Sequence, residues 1–261
     1  MKRVSVVVPT LNSAATLSLC LESVRNQSVE DLEIIIVDSL SHDSTPAIAE
    51  RFGRLIREAC GATKARLIGA NAATGDYVLN LDSDQALNPR TIERCLEVHS
   101  KAVVLGEISV GKGVIARINK LEKAVTHQLW KENLMLNLGP LRPRFYDRGI
   151  LLEAYRRIPA EILEIQPSAF SEDLLLFEES GIARGDIGYV PDAILHFEEE
   201  RVWQYLRKWY LRGKIAKRYR GTRFEHLIFS GRNRAVSGPE LVACFPSILA
   251  RGIPLLLGYS L

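Results

Sequence analysis

The chain has little in its composition that would identify it. Its four cysteines include no C-x-x-C pair and stand at Cys20, Cys60, Cys95 and Cys244. Scattered cysteines of this kind are typical of reduced thiols in a cytosol-like compartment. The 34 basic and 31 acidic residues leave a formal net charge of only +3, so total charge indicates no partner. No signal peptide is predicted, because the apolar run at residues 4–8 is too short to be one.

Glycine-rich phosphate loops are also missing. The N-terminal half contains neither G-x-G-x-x-G nor G-x-x-x-x-G-K-S/T, which argues against a dinucleotide-dependent dehydrogenase and a P-loop enzyme. No glycine-rich basic loop follows the first predicted strand, and this disfavours a nucleotidyltransferase. At 261 residues, the chain is long enough for one large domain or for one domain with an appendage.

Strand and helix patterns alternate in the N-terminal part of the chain. Apolar or strand-like runs at residues 4–8, 32–37, 54–57 and 77–81 predict strands. Helical patterns lie between them, at residues 14–26, after Thr45 and at residues 63–73. This alternation predicts an α/β fold with a mostly parallel, Rossmann-like sheet flanked by helices.

Three acids follow predicted strands. Asp82 and Asp84 are separated by one residue and close the strand at 77–81, and Asp38 closes the strand at 32–37. Ligands of open α/β sheets bind at this edge, and a divalent cation carrying phosphates suits two neighbouring carboxylates. A carboxylate such as Asp38 can also bind a nucleobase or ribose. The alternatives are a solvated turn for the pair and loop capping for Asp38.

Three segments in a fixed order resemble glycosyltransferase family 2, which has the GT-A fold. They are VVVPTLN at residues 6–12, IVDSLSHDST at 36–45 and GDYVLNLDSD at 75–84. The resemblance implies a nucleoside diphosphate sugar donor bound by the N-terminal half. Positions that hold the nucleoside are matched by Pro9, Thr10, Asn12 and Asp38. The D-x-D that holds metal and diphosphate is matched by Asp82, Ser83 and Asp84.

A basic segment that commonly faces the donor in this family is matched by Lys64 and Arg66. The family usually has Arg-Asn where this chain has Arg66-Leu67. The resemblance also implies that Asp173 is the catalytic base, although Ser171-Glu172-Asp173 could simply cap an apolar helix. The family pattern continues with another acid and an arginine, which this chain replaces with apolar residues.

His196 ends a predicted strand at residues 188–196. The resemblance implies that this imidazole joins Asp82 and Asp84 on a cation, and such a donor set favours Mn²⁺ over Ca²⁺. A lone histidine can equally be structural.

In the middle of the chain, residues 102–106 predict a strand and residues 113–133 a helix. The core face of that helix is predicted to contain Ile115, Ile118, Leu121, Val125 and Leu129. The basic stretch 142–148 is compatible with a phosphate-facing patch or a solvated edge strand.

From Arg201 the composition changes, because basic and aromatic residues alternate without an acid as far as Arg220. A nucleic-acid surface, a solvated helix face and contact with anionic lipid are the alternatives. Contact with a membrane surface fits the interleaved Trp and Tyr best. Residues 243–261 are apolar, but Pro246, Arg251 and Pro254 interrupt them too often for a membrane span. A surface-lying or re-entrant helix pair and a dimer contact remain open.

Together these patterns predict a GT-A catalytic domain at residues 1–200, with a nucleotide-sugar half at 1–100 and an acceptor half at 101–200. Residues 201–261 form a helical, membrane-associating appendage. We expect a metal-dependent inverting hexosyltransferase that uses Mn²⁺ or Mg²⁺ and a UDP-sugar in glycan biosynthesis. Its acceptor would be a hydroxyl or phosphate, carbohydrate or polyprenyl-phosphate-linked, at the cytoplasmic face of a membrane. A homo-oligomer is open, nucleic acid is not expected, and the alternative is a catalytically inactive nucleotide-sugar-binding or membrane scaffold.

Overall fold

The computed structural model describes residues 2–132, 142–164, 172–198, 201–227 and 239–260. In the last range the side chains of residues 239–244 and 247 are not described. Ser171 and the side chain of Cys244, both named above, therefore lie outside the described residues.

The described residues form an eight-stranded sheet with the order β3-β2-β1-β4-β7-β6-β8-β5. Strands β1 to β4 are parallel neighbours. Strand β7 is antiparallel to both β4 and β6, β8 is parallel to β6, and β5 is antiparallel to β8. The strands are β1 (Val4–Thr10), β2 (Leu32–Asp38), β3 (Arg54–Arg57), β4 (Tyr77–Asn80), β5 (Gln85–Leu87), β6 (Ala102–Val110), β7 (Phe145–Asp147) and β8 (Ile187–Phe197).

Helices cover both faces of this sheet. They are α1 (Leu17–Arg25), α2 (Thr45–Ala49), α3 (Ala62–Ala72), α4 (Thr91–Glu97), α5 (Val114–Lys131), α6 (Arg148–Arg157), α7 (Ala160–Leu163), α8 (Glu172–Ser180), α9 (Val202–Ala216) and α10 (Pro239–Ser260). Short 3₁₀ turns lie at Arg184–Asp186 and Lys217–Tyr219.

Strand β1 shows why the apolar runs are continuous rather than alternating. Val7 packs into one apolar cluster, whereas Val6 and Val8 pack into a second cluster on the opposite face of the sheet. Helix α3 approaches the first face so closely that a Cβ at Gly69 would lie 2.2 Å from a methyl group of Val7. A parallel sheet buried on both faces needs such runs. The predicted mixed α/β fold is therefore confirmed.

The basic stretch at residues 142–148 is not an edge strand. Its residues 145–147 form β7, which lies between β4 and β6 near the middle of the sheet, and Phe145 and Tyr146 are fully buried. Three residues give too short a pattern to reveal a central strand. The edge-strand interpretation was wrong because the burial of β7 depends on non-local partners.

Helix α5 is present as predicted, but its buried face differs from the prediction. Leu121 is 48 % exposed, whereas the polar Asn119 is buried. Ile115 and Leu129 are buried as expected. The prediction was wrong for Leu121 because this helix directs polar residues, and not only its apolar stripe, toward the interior.

Residues 239–260 form one continuous helix despite the internal Pro246 and Pro254, so the helix pair left open for this range is not formed there. Helix α10 packs against α9 and α5. A Cβ at Gly213 of α9 would lie 2.0 Å from the Leu255 carbonyl oxygen, and one at Gly258 would lie 2.0 Å from that of Tyr210. The two glycines therefore permit the close crossing. Within the described ranges no helix is both long and apolar enough to span a membrane.

Candidate active site

The carboxyl ends of β1, β2 and β4 meet at one edge of the sheet because β2 and β4 flank β1. Pro9 and Thr10 are the last two residues of β1, and Thr10 pairs in register with Asp38 at the end of β2. Asp38 is fully buried. Its carboxylate accepts hydrogen bonds from Thr10 Oγ1 at 3.3 Å and Ser41 N at 3.1 Å, and it pairs with Arg57 Nε at 3.2 Å.

The loop after β1 is tied to the loop after β2. Asn12 adopts a left-handed backbone conformation with φ of 50°. Its backbone N donates to Ser41 Oγ at 2.8 Å, and its Oδ1 accepts from His42 N at 3.0 Å. The structure thus brings together Thr10, Asn12 and Asp38, three of the residues predicted to hold a nucleoside.

Asp82, just beyond β4, is enclosed by two guanidinium groups. Arg66 of α3 contacts one carboxylate oxygen, and Arg144 Nη1 lies 2.9 Å from the other. Burial disfavours the charged form of Asp82, but Arg144 and Arg66 outweigh it and lower the pKa of this carboxyl well below its usual range. Asp82 is therefore an anion that holds two cations in place.

Asp84 faces His196 across the end of the antiparallel β5–β8 pair. The Asp84 Oδ2 and His196 Nε2 atoms are 3.6 Å apart, and His196 Nδ1 lies 3.0 Å from Glu107 Oε2. Burial alone would lower the pKa of His196, but Asp84 and Glu107 raise it to about 9. Lys123 Nζ lies 3.1 Å from Glu107 Oε2 and 3.0 Å from His196 Nδ1. The imidazole is therefore held from both of its nitrogens.

Asp173 approaches this group from the first turn of α8. Its Oδ2 lies 3.9 Å from Arg144 Nη2, and the same nitrogen is 3.5 Å from Glu107 Oε1. The neighbouring Glu172 is buried and contacts Arg66, and it also accepts a hydrogen bond from Tyr155 Oη at 2.6 Å. Arg144 is the side chain that links Asp82, Glu107 and Asp173.

Two predicted residues lie at the margin of this arrangement. Lys64 does not contact Asp82 or Asp84; its Nζ lies 2.8 Å from Glu164 and 3.6 Å from Glu58. Ser83 Oγ lies 2.8 Å from Ser13 Oγ, which connects the D-x-D turn to the loop after β1.

A polar network continues from His196 into the C-terminal helices. Lys123 Nζ lies 2.8 Å from Glu198 Oε1, and Asn119 donates to Glu198 Oε2 at 2.6 Å. Arg251 of α10 donates to Asn119 Oδ1 at 2.6 Å and to Tyr205 Oη at 2.6 Å. The buried polar face of α5 therefore connects α9 and α10 to the candidate site.

The Asp84–His196 pair could hold a divalent cation, which would take the place of the proton on His196 Nε2. A metal lies about 2.1 Å from oxygen and nitrogen ligands of this kind, so one ion could span the 3.6 Å between Oδ2 and Nε2. Both oxygens of Asp82 are occupied by arginines, and no group of three His, Cys, Asp or Glu side chains within the described ranges forms a metal site. Two protein ligands would leave positions for diphosphate oxygens and water.

Sequence analysis missed Arg144, Glu107 and Lys123. Glu107 directly follows the apolar run at residues 102–106, and an acid there is the same signal that identified Asp38. Asn119 and Lys123 are four residues apart and so lie on one side of α5. Arg144 was part of the basic stretch whose meaning was left open.

Comparison with known proteins gives one family. The family model described as Glycosyl transferase family 2 matches residues 5–154. The putative glycosyltransferase EpsH of Bacillus subtilis is 37 % identical over 100 residues, which is 36 % of this chain and 29 % of that protein. The poly(ribitol-phosphate) beta-N-acetylglucosaminyltransferase TarS of Staphylococcus aureus is 25 % identical over 226 residues, or 81 % of this chain and 38 % of TarS. The matched segment thus spans 29–38 % of these curated relatives.

Several solved structures share the fold. A crystal structure of S. aureus TarS with UDP-GlcNAc has a TM-score of 0.58 and 19 % identity, and the match covers 95 % of this chain and 81 % of that one. The mannosyltransferase PcManGT of Pyrobaculum calidifontis, with GDP-Man and Mn²⁺, has a TM-score of 0.59 and 19 % identity, covering 99 % and 73 %.

Proposed function

The chain belongs to glycosyl transferase family 2, whose model matches more than half of its residues, and we propose that it transfers a sugar from a UDP-sugar to an acceptor hydroxyl or phosphate with inversion. The observation that carries the proposal is the contact of Arg144 with Asp82, Glu107 and Asp173, beside the Asp84–His196 pair that Glu107 also contacts. TarS in complex with UDP-GlcNAc supports the choice of nucleotide. PcManGT in complex with GDP-Man and Mn²⁺ makes GDP the competing possibility and supports metal dependence.

Each side chain has a task in this proposal. Thr10, Asn12 and Asp38 would bind the nucleoside, as polar groups already ordered at the sheet edge. Asp84 and His196 would hold Mn²⁺ or Mg²⁺, which supplies Lewis-acid stabilisation of the leaving diphosphate. Asp82 would keep Arg66 and Arg144 beside the negative charge of the leaving diphosphate. Asp173 would accept the proton of the acceptor hydroxyl as the acceptor attacks the anomeric carbon from the opposite side.

The test is nucleotide binding by the full chain. We would measure thermal stabilisation by UDP, GDP, dTDP and CDP, each with and without Mn²⁺. A ligand at 100 times its dissociation constant stabilises the folded state by about 2.7 kcal/mol. We expect a metal-dependent shift with UDP that is lost in Asp84→Ala. Absence of any nucleotide-dependent shift would overturn the proposal.

A non-catalytic nucleotide-sugar-binding scaffold is the second candidate. One observation favours it: both carboxylate oxygens of Asp82 contact arginines instead of being free to bind a metal. The two candidates differ in turnover. An enzyme releases UDP from its UDP-sugar in the presence of metal and acceptor, or slowly by hydrolysis, whereas a scaffold binds the donor without releasing UDP.

We also propose that residues 201–261 attach the domain of residues 1–200 to a membrane surface, where a polyprenyl-phosphate-linked or other lipid-linked acceptor would lie. Support comes from exposed apolar side chains at helical spacing on α10, namely Phe245, Leu249, Ile253 and Leu257. Trp203 at the start of α9 is 76 % exposed. Exposed apolar residues beside basic ones are typical of interfacial helices.

A further inference from the structure

Three basic side chains beside the candidate site have no ion pair within the described part of the chain: Arg142, Lys208 and Arg212. The neighbouring carboxylates already have partners of their own. Asp82 contacts Arg66 and Arg144, Asp84 faces His196, Glu107 and Glu198 contact Lys123, and Glu122 contacts Arg251. Among the described residues, these three cations therefore have no carboxylate as a direct partner.

The position of Arg212 follows from a chain of side-chain contacts. The network that begins at His196 ends at Arg251, whose Cζ lies 5.4 Å from the centre of the Trp209 ring. The Cζ atom of Arg212 lies 4.7 Å from the same ring. Two guanidinium groups thus contact one indole ring. The buried Nε1 of that ring has no hydrogen-bond partner among the described residues. These contacts fix Arg212 beside the network that leads to the candidate metal ligands.

Lys208 lies one helical turn before Arg212 on α9, and Arg142 lies two residues before Arg144; Lys208 and Arg142 are both exposed. Lys208 interacts with Asp84 and Asp82, Arg212 with Asp82, and Arg142 with Asp173. Burial, together with the charges of Arg251 and Arg142, lowers the pKa of Arg212 to about 10. Neighbouring cations repel one another, so an anion bound among them would lower the electrostatic energy of the folded protein.

We propose that Arg142, Lys208 and Arg212 form a phosphate-binding subsite, distinct from the metal ligands, which binds either the donor diphosphate or a phosphate group of the acceptor. This inference rests on the proposed function. Guanidinium groups bind phosphate oxygens through two parallel hydrogen bonds, and an ammonium group adds a point charge. Two of the three residues come from α9, which sequence analysis assigned to the membrane surface. Helix α9 would then contribute directly to substrate binding.

The test compares Arg212→Gln and Lys208→Gln with Arg207→Gln in the full chain. Arg207, like Lys208, is exposed on the same helix, and its loss removes the same charge from the protein. One arm measures the affinities of UDP and uridine with Mn²⁺ by calorimetry. The other measures inorganic phosphate binding to the UDP-saturated protein. Removal of one charged hydrogen-bond donor should weaken phosphate binding about tenfold or more, and Arg212→Lys should restore part of it.

The arms identify the source of the phosphate. If Arg212→Gln weakens UDP but not uridine, the subsite holds the donor diphosphate. If UDP affinity is kept and phosphate no longer binds to the UDP-saturated protein, the subsite serves the acceptor. If both variants match Arg207→Gln in both arms, the subsite does not exist. If the wild-type protein binds no nucleotide, the proposed function is contradicted. The subsite is then tested by itself, through inorganic phosphate binding to the nucleotide-free wild type and variants.

Discussion

Arg144 shows how much of the candidate site depends on a single side chain. Its guanidinium group lies 2.9 Å from Asp82, 3.5 Å from Glu107 and 3.9 Å from Asp173. Burial disfavours this cation, but the three carboxylates raise its pKa above the usual value. A buried ion that loses its partner is costly. Substitutions at these positions should therefore be conservative in shape, so that function is tested without unfolding the site.

Asp173→Asn is the most direct test of the proposed base. The amide keeps the shape of the side chain but cannot accept the acceptor proton, so kcat should fall by about 10²–10⁴. The dissociation constant of UDP should stay within a factor of about two, because the residues proposed to bind the nucleoside lie on or just after β1 and β2 and not on α8. Turnover is measured as UDP released from the UDP-sugar.

Glu178→Gln is the matched control for that variant. Glu178 lies on the same helix, is exposed and pairs with His226 at 3.0 Å. Its turnover should equal that of the wild type. If Asp173→Asn turned over at the wild-type rate, Asp173 would not be the catalytic base.

His196 should make the stability of the metal-free protein depend on pH. Its pKa is raised in the folded state from 6.5 to about 9, so the stabilisation is complete below pH 6.5 and is lost as the pH rises through 9. By linkage the full effect is at most about 3 kcal/mol. In EDTA, the melting temperature of the wild type should exceed that of His196→Gln most at pH 6, and the gap should close by pH 10.

His99→Asn provides the comparison for this pH series. His99 is exposed and has a φ of 51°, which asparagine tolerates. The pH course of the gap for His196→Gln is compared with the pH course measured for this variant. A pH-independent gap for His196→Gln would show that the imidazole is not charged in the folded protein.

At the scale of elements, the crossing of α9 and α10 is set by two glycines. Alanine normally stabilises a helix interior relative to glycine by about 1 kcal/mol. At Gly213 or Gly258, however, a Cβ would lie 2.0 Å from a backbone oxygen of the other helix. We therefore expect Gly213→Ala and Gly258→Ala to destabilise the protein by about 1–3 kcal/mol, measured by urea unfolding.

Gly185→Ala is the control for the helix crossing, because a Cβ there would meet no atom within 4 Å. It should leave stability close to that of the wild type. Since Arg251 of α10 reaches the active-site network through Asn119, the helix-crossing variants should also lose affinity for UDP and Mn²⁺. Stabilisation by either alanine would mean that the helices do not approach this closely.

The sequence predicted those elements whose signal is local. Strands β1, β2, β3 and β4 were located because a parallel strand buried on both faces needs an apolar run, and Asp38, Asp82 and Asp84 were found because acids follow such runs. The position of β7 and the pairing of β5 with β8 were not predictable, since both depend on residues distant in sequence. Leu121 was misplaced because the inward face of α5 is partly polar, which periodicity of apolar residues does not show.

At the scale of the whole molecule, charge and apolar surface separate on the C-terminal helices. Lys208 and Arg212 lie toward the candidate site, whereas Phe245, Leu249 and Ile253 are exposed on α10. The net charge of +3 does not show this separation, because it is a sum over the whole chain. Helix α10 also joins the polar network of the candidate site through Arg251. If its apolar stripe contacts a surface, the candidate site is held at a fixed distance from that surface.

Ile253→Glu tests whether that surface is a lipid bilayer. Ile253 is 53 % exposed, and full burial of such a side chain contributes about 1.5–3 kcal/mol, so its replacement by an acid should weaken vesicle binding about tenfold or more. Leu19→Glu is the matched control, because Leu19 of α1 is 51 % exposed but lies far from this stripe in the sequence. Binding is measured by co-flotation of the full chain with vesicles of phosphatidylcholine and phosphatidylglycerol. If Ile253→Glu floats as well as Leu19→Glu and the wild type, or if the wild type does not float, α10 does not attach the protein to lipid.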